Sequence, residues 1–219
     1  MAMFIGIDGI PGGWVAVYVD KHNQHVNHAH HLEALLVGSY ERAMIDVPIG
    51  LPLRGYRSCD REARKLVGSR MFLGARRNIW KFDNYAQANT YYHNGGDKRI
   101  SLQLWCIRDK LQEVNETMTP ERQMRLLETH PELVFWRLNG RVRLKNKKTE
   151  SGRKQRITLL GQHGFGRIET WLDQRRGTGI GRDDLIDACA CALAARESIQ
   201  RIPNGEPPTE QGIRMEIWF

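Results

Sequence analysis

The chain has 219 residues, enough for a substantial core and for one large domain or two small ones. Lysine and arginine number 33 against 25 aspartates and glutamates, a formal net charge of +8. That balance favours a polyanionic partner such as nucleic acid or a phosphorylated ligand, and says nothing about fold. No run approaches the roughly 18 apolar residues of a membrane span, and the opening residues carry no charged segment followed by a long apolar one. The chain is therefore expected to be cytoplasmic, with no membrane partner. Cys59, Cys106, Cys189 and Cys191 form no C-x-x-C pair and read as reduced, mostly buried thiols.

Residues 3–8 form a short apolar run that ends in Asp8. Gly9, Gly12 and Gly13 then permit a tight reversal, and residues 14–20 return as a second strand. A carboxylate at the end of a buried strand needs partners. Asp8 is either a turn cap that accepts glycine amide hydrogen bonds or a functional group. After a polar turn at 21–24, residues 25–31 read as a third strand. It holds much of a histidine patch, His22, His25, His28, His30 and His31, which reads as an exposed strand or, less favoured, as a transition-metal site.

Leu32 to Ser39 has helical spacing. Residues 43–47 repeat the opening logic, an apolar strand that runs into Asp46 and then into a loop stiffened by Pro48 and Pro52. A helical insertion is expected over 53–122, with helices at 59–67, 82–93 and 102–118. Between the first two lies a loop, 69–80, whose Arg70, Arg76 and Arg77 could meet phosphates or simply be solvated.

Residues 125–128 give a further short strand that ends at Glu128, and a helix or loop follows through 133–139. From Asn139 to Arg156 there are eight basic residues, Lys147 and Lys148 among them, against one acid, Glu150. Such a block is either a solvated, flexible segment or a hold on a phosphate backbone. A helix over 149–161 and a glycine-rich approach at 177–181 lead to the last strong element, 182–196, whose small residues suit a closely packed helix. Asp184 and Asp187 are three apart and share a face of it. Asp183 is the natural N-cap. The tail is expected to hold a proline-rich loop and an edge strand near 214–218.

If the strands are neighbours, Asp8, Asp46 and Glu128 at their ends could converge with Asp184 and Asp187 at the helix start. Clustered carboxylates repel, and a divalent cation relieves that cost. Oxygen-only donors suit Mg²⁺ or Mn²⁺, and a pair of such ions suits phosphodiester hydrolysis. No G-x-x-x-x-G-K-[ST], H-E-x-x-H or G-x-S-x-G motif competes.

Here the chain resembles a family. The matching pieces are Gly6-Ile7-Asp8-Gly9 with Gly12-Gly13-Trp14, residues 45–52, Cys59-Asp60 with Ala63-Arg64, and Ser101-Leu102-Gln103. Glu128 to Glu132, Lys147-Lys148-Thr149 and Asp183 to Ala188 follow in order. Together they resemble the domain-of-unknown-function family 429, described as predicted RNase H-like nucleases. The C-terminal D-x-x-D-A pattern is also similar to that of RuvC-like junction resolvases. The stretch 69–77 departs from the family's pattern by lacking prolines.

The resemblance implies an α/β fold: a mixed five-stranded RNase H-like sheet flanked by helices, in one domain over 1–219, with the helical insertion after the fourth strand. It implies Asp8, Asp46 and Asp184 or Asp187 as Mg²⁺ or Mn²⁺ ligands, with Glu128 as a further catalytic acid. Lys147, Lys148, Arg76 and Arg77 are the expected substrate contacts. Expected partners are nucleic acid and, in assembly, a second copy of the chain. Competing readings are a catalytically silent nucleic-acid-binding or scaffold protein on the same fold, and a nucleotide-binding phosphotransferase. The second is disfavoured because actin-like kinases normally need a second, similar domain.

Overall fold

The computed structural model describes residues 2–197 and 200–219. Its centre is a sheet of β1 (Phe4–Ile10), β2 (Gly13–Val19), β3 (Gln24–Ala29), β4 (Arg42–Ile45) and β5 (Leu126–Glu128), in the spatial order β3-β2-β1-β4-β5. The hairpin pairs β1–β2 and β2–β3 are antiparallel, whereas β1–β4 and β4–β5 are parallel. This is the mixed five-stranded α/β sheet expected from the sequence. Parallel pairings need crossovers: the one from β4 to β5 is helical, whereas β1 reaches β4 through β2, β3 and a single 3₁₀ turn.

Because strand side chains alternate, the sheet buries two separate cores. Ile5, Ile7, Trp14, Ala16, Ala43 and Ile45 pack on one face. Val15, Val17, Val19, Met44 and Leu127 pack on the other. The second face is covered by α8 (Arg182–Glu197), whose alanines, cysteines and leucines are buried. The helix lies directly on β1. A Cβ added at Gly6 would stand 1.9 Å from the Ala192 amide nitrogen and 2.3 Å from the Ala188 carbonyl oxygen. Glycine on the strand and alanine on the helix are thus what let the two backbones touch.

Between β4 and β5 the chain forms α1 (Ser58–Val67), α2 (Tyr85–Asn94), α3 (Leu102–Cys106) and α4 (Arg108–Thr117). Helix α1 joins the α8 side, through Cys59, Ala63 and Val67. The other three cover the opposite face, through Ala88, Tyr92, Leu104, Leu111 and Val114. After β5 come α5 (Pro131–Leu138), α6 (Glu150–Gln162) and α7 (Ile168–Gln174).

Several local expectations change. Residues 32–39 form only a 3₁₀ turn, Leu32–Leu35. The helix expected over 102–118 breaks at Ile107 into α3 and α4. The segment expected as helix or loop over 133–139 is helical from Pro131 to Leu138, with proline in the first turn, where its missing N–H costs nothing. Helix α7 has no counterpart among the expected elements. The C-terminal edge is two short strands, Ile213–Arg214 and Ile217–Trp218, pairing with Thr209–Glu210 and Arg201–Ile202. No helix of the described residues is long and apolar enough to cross a membrane.

A carboxylate cluster at the ends of the parallel strands

Parallel register decides which acids meet. Ile7 is level with Ile45, and the Asp46 amide donates to the Ile7 carbonyl at 3.1 Å. One step on, Asp8 and Asp46 therefore stand side by side at the carboxyl ends of adjacent strands, on the face covered by α8. In open α/β sheets ligands bind beyond such carboxyl ends. Helix α8 brings Asp184 and Asp187 to the same place.

The four acids act on one another. Burial, and then repulsion from Asp46, Asp187 and Asp184, holds the Asp8 carboxyl well above the usual carboxylate range. Burial pushes Asp46 up to about 7, against the pull of Lys147. Asp187, 3% exposed, is pushed up to about 6 by burial, again against Lys147. Burial also raises Asp184, while a hydrogen bond from the Gly181 amide at 3.2 Å opposes it. Even the buried Cys191 thiol is raised, by burial and then by Asp46 and Asp8.

Lys147 supplies the counter-charge. Its Nζ lies 2.6 Å from Asp187 Oδ2. Burial lowers its proton affinity, but Asp187, Asp46 and Asp8 together outweigh that and raise it. Its neighbour Lys148 pairs with Asp183 at 2.7 Å. Both lysines precede α6, whose N-terminus is fixed by the Thr149 hydroxyl accepting from the Gly152 amide. Much of the rest of the basic block is tied to the protein. Arg143 donates to the Lys65 and Leu66 carbonyls, and buried Arg156 donates to Glu132 Oε1 at 2.6 Å.

Glu128 does not join the four. It is level with Ile45, not Asp46, so it points to the opposite face of the sheet. There Arg57 grips it with two 2.6 Å hydrogen bonds, and the Ile49 amide donates a third at 2.6 Å. Burial pulls the Arg57 guanidinium down, but Asp60, Cys59 and Glu128 hold it well above its ordinary value; burial in turn pushes the Glu128 carboxyl up to about 7, against the pull of Arg57. Glu128 lines the same cavity as Asp8 and Asp46, with its oxygens already engaged.

Arg76 is not placed to meet a phosphate. It is fully buried, stacked between Tyr56 and Tyr92, and donates to the Gly55 and Lys98 carbonyls. Aromatic faces and carbonyls surround a guanidinium that the loop carries inward, and its Nη2, without a hydrogen bond among the described residues, lies 3.8 Å from Asp97 Oδ1. Arg77 donates to the Leu51 carbonyl and pairs with Glu210, in a different cavity from the acids. The histidines of the patch are spread along β3 and its ends. His25 stacks on Tyr18 with ring centroids 4.6 Å apart, and His30 Nδ1 is 2.9 Å from the Gly12 carbonyl.

Three further residues stand at the site, Lys110 with no signal in sequence and Thr129 and His130 inside the matching stretch Glu128 to Glu132 but given no role there. Lys110, on α4, lies 4.4 Å from the centre of the Trp14 ring and bonds the Gly13 carbonyl. Its stem covers Gly9, where an added Cβ would be 2.7 Å from Lys110 Cδ. His130 accepts the Glu132 amide at Nδ1, which leaves the proton on Nε2, and burial lowers its basicity. Thr129, level with Asp46, has a buried hydroxyl with no partner among the described residues.

The donor set is oxygen-only, which suits a hard divalent cation, and its uncompensated charge is what such a cation relieves. Among the described residues, however, no three His, Cys, Asp or Glu side chains are arranged to hold a metal ion. The carboxylates are gathered, and their counter-ion in this structure is Lys147.

Fold and site thus define an α/β protein that collects buried aspartates at the ends of its parallel strands. Residues 6–208 match the model of the family described as Protein of unknown function (DUF429), and the chain belongs to that family. No curated protein and no solved structure matches it.

Proposed function

We propose that the protein is a divalent-metal-dependent nuclease that hydrolyses phosphodiester bonds. One observation carries the reading: the register that sets Asp8 beside Asp46 under Asp184 and Asp187, in a site where burial raises all four proton affinities. Asp8, Asp46, Asp184 and Asp187 would hold Mg²⁺ or Mn²⁺. When bound, such ions supply charge neutralisation for an attacking hydroxide and a leaving oxygen. The chain's own groups do the rest. The Lys147 and Lys110 ammonium groups face the acids from two sides and can hold the phosphate's non-bridging oxygens.

A second reading has its own support. Lys147 already bridges to Asp187, and no three carboxylates among the described residues are arranged for a metal. Both suit a catalytically silent nucleic-acid-binding protein. Calorimetry with Mg²⁺ and Mn²⁺, together with cleavage of labelled oligonucleotides, separates the two. The nuclease reading expects metal binding and cleavage that both vanish in the Asp8→Asn, Asp46→Asn double variant. Nucleic-acid binding that survives in that variant, with no cleavage by the wild type, supports the silent protein.

A further inference from the structure

Two depressions meet at one exposed aromatic residue. The first is the cavity over the acids, about 180 Å³, bounded by Asp8 and Asp46 on one side and by Met71, Phe72, Leu104 and Ile107 on the other. The second is a shallower groove of about 610 Å³ that shares Met71 and Phe72 and carries Tyr56, Arg64, Lys98 and Arg99. Phe72 is 41% exposed and stands between them. Arg64, Lys98 and Arg99 are exposed as well.

The first cavity has an unusual lining for phosphate chemistry. Its lining joins the carboxylates, with Arg57 and Lys110 beside them, to an apolar wall of Met71, Phe72, Leu104 and Ile107. A duplex lying across the mouth would present only phosphates and sugars to that wall, and its paired bases could not enter. An unpaired nucleotide fits both halves: its phosphate at the carboxylate end, its base against Met71, Phe72 and Leu104. Every base has a π-face that an aromatic side chain can stack on. The cavity also holds a polar group in want of a partner, the buried Thr129 hydroxyl. The groove beyond Phe72 continues the path with cations, which is what the backbone of the same strand requires.

We infer that the site takes single-stranded nucleic acid, with one base stacked on Phe72 inside the acid cavity and the adjoining backbone running along the Arg64–Lys98–Arg99 groove. This rests on the proposed nuclease reading for the identity of the site, but it is a statement about binding and is tested without cleavage.

The test is fluorescence anisotropy in Ca²⁺, which neutralises the carboxylates while its larger, looser coordination disfavours cleavage, with a short labelled DNA strand, an RNA strand of the same sequence and the corresponding blunt DNA duplex. Single strands are expected to bind at least about tenfold more tightly than the duplex. Phe72→Ala should weaken single-strand binding by about tenfold or more, as expected for one unstacked base, and Phe72→Trp should restore it. The exposure of Phe72 makes both variants compatible with the fold, which circular dichroism checks. Lys98→Ala with Arg99→Ala should lower the dependence of log affinity on log salt by about 0.7 for each phosphate that is no longer neutralised. The DNA and RNA arms show which sugar is preferred. Equal or tighter duplex binding, or an unchanged Phe72→Ala variant, overturns the inference and leaves the nuclease reading standing. Single-strand preference without cleavage in Mg²⁺ or Mn²⁺ upholds it and removes the nuclease reading. No nucleic-acid binding at all removes both.

Discussion

Glu128 is level with Ile45 across the β4–β5 pair, and Thr129 is level with Asp46. That single-residue offset sends the Glu128 carboxylate through the sheet to Arg57, away from Asp8 and Asp46. Two functions are therefore separated by one step of the pleat. Asp8 and Asp46 face α8 and its two aspartates, whereas Glu128 is held by the buried Arg57.

The pair should behave accordingly. Removing one member of a buried ion pair leaves the other charge without compensation and costs about 3–5 kcal/mol. Arg57 serves two acids, since it also bonds Asp60 with Nε at 3.2 Å. Arg57→Ala is thus expected to lose stability of that order, read as a lowered urea midpoint with little change in slope. Glu128→Gln should be destabilised in the same direction. Asp8→Asn, by contrast, should not lose stability.

The charge cluster predicts a pH dependence with a definite sign. Asp46 has a folded-state value near 7 against an ordinary 3.8, so the folded state binds the proton more tightly. Below about pH 4 the group is protonated folded and unfolded, and contributes nothing. Between about pH 4 and pH 7 the unfolded chain ionises first, so stability falls as pH rises, and the full cost remains above pH 7. Asp46→Asn should accordingly stabilise the protein by on the order of 1–3 kcal/mol at about pH 8, and leave it nearly unchanged at about pH 4. Chemical denaturation of both proteins at the two pH values reads this directly. Equal effects at both would show that Asp46 titrates normally.

Much of the sheet was legible because its signals are local. Apolar runs closed by Asp8 and Asp46, glycines at the hairpin and a small-residue helix at 182–196 are short-range patterns, and each is an element of the fold. Glu128 was legible as a strand end and illegible as a ligand, because facing depends on the exact register, and boundaries of short strands slip by a residue. Arg76 had the composition of a phosphate contact. Its burial is a tertiary outcome, set by Tyr56 and Tyr92, which lie 20 and 16 positions away in the chain. Lys110 and Phe72 carried no pattern, since each gains its meaning only from what the insertion packs against.

Lys147 and Asp187 should be energetically coupled. The ammonium sits 2.6 Å from a carboxylate that also feels Asp46, so Lys147→Gln leaves the cluster without its nearest cation. The single variant is expected to lose more stability at about pH 8 than at about pH 4, where the acids are protonated. In a double-mutant cycle with Asp187→Asn, the coupling should be about 1–3 kcal/mol at neutral pH. Additive effects would mean that the pairing contributes little and that the cation is held in place by its own loop.

Gly6 connects the packing of the sheet to the chemistry at its end. An alanine there would set Cβ 1.9 Å from the Ala192 amide nitrogen and 2.5 Å from its Cα. These are backbone atoms of a long helix, and no rotamer change can relieve the overlap. Helix α8 has to lift from β1, and Asp184 and Asp187 lift with it. Gly6→Ala is expected to cost about 3 kcal/mol or more, at or beyond the upper end of ordinary overpacking, and to abolish any metal binding that depends on Asp8 and Asp187 together. Gly161, inside α6 with nothing within 4 Å of its added Cβ, provides the control. Gly161→Ala should be neutral or stabilising by roughly 0.5–1 kcal/mol. A Gly6→Ala protein that kept wild-type stability would mean that α8 does not rest on β1 as described, and the placement of all four carboxylates would have to be redrawn.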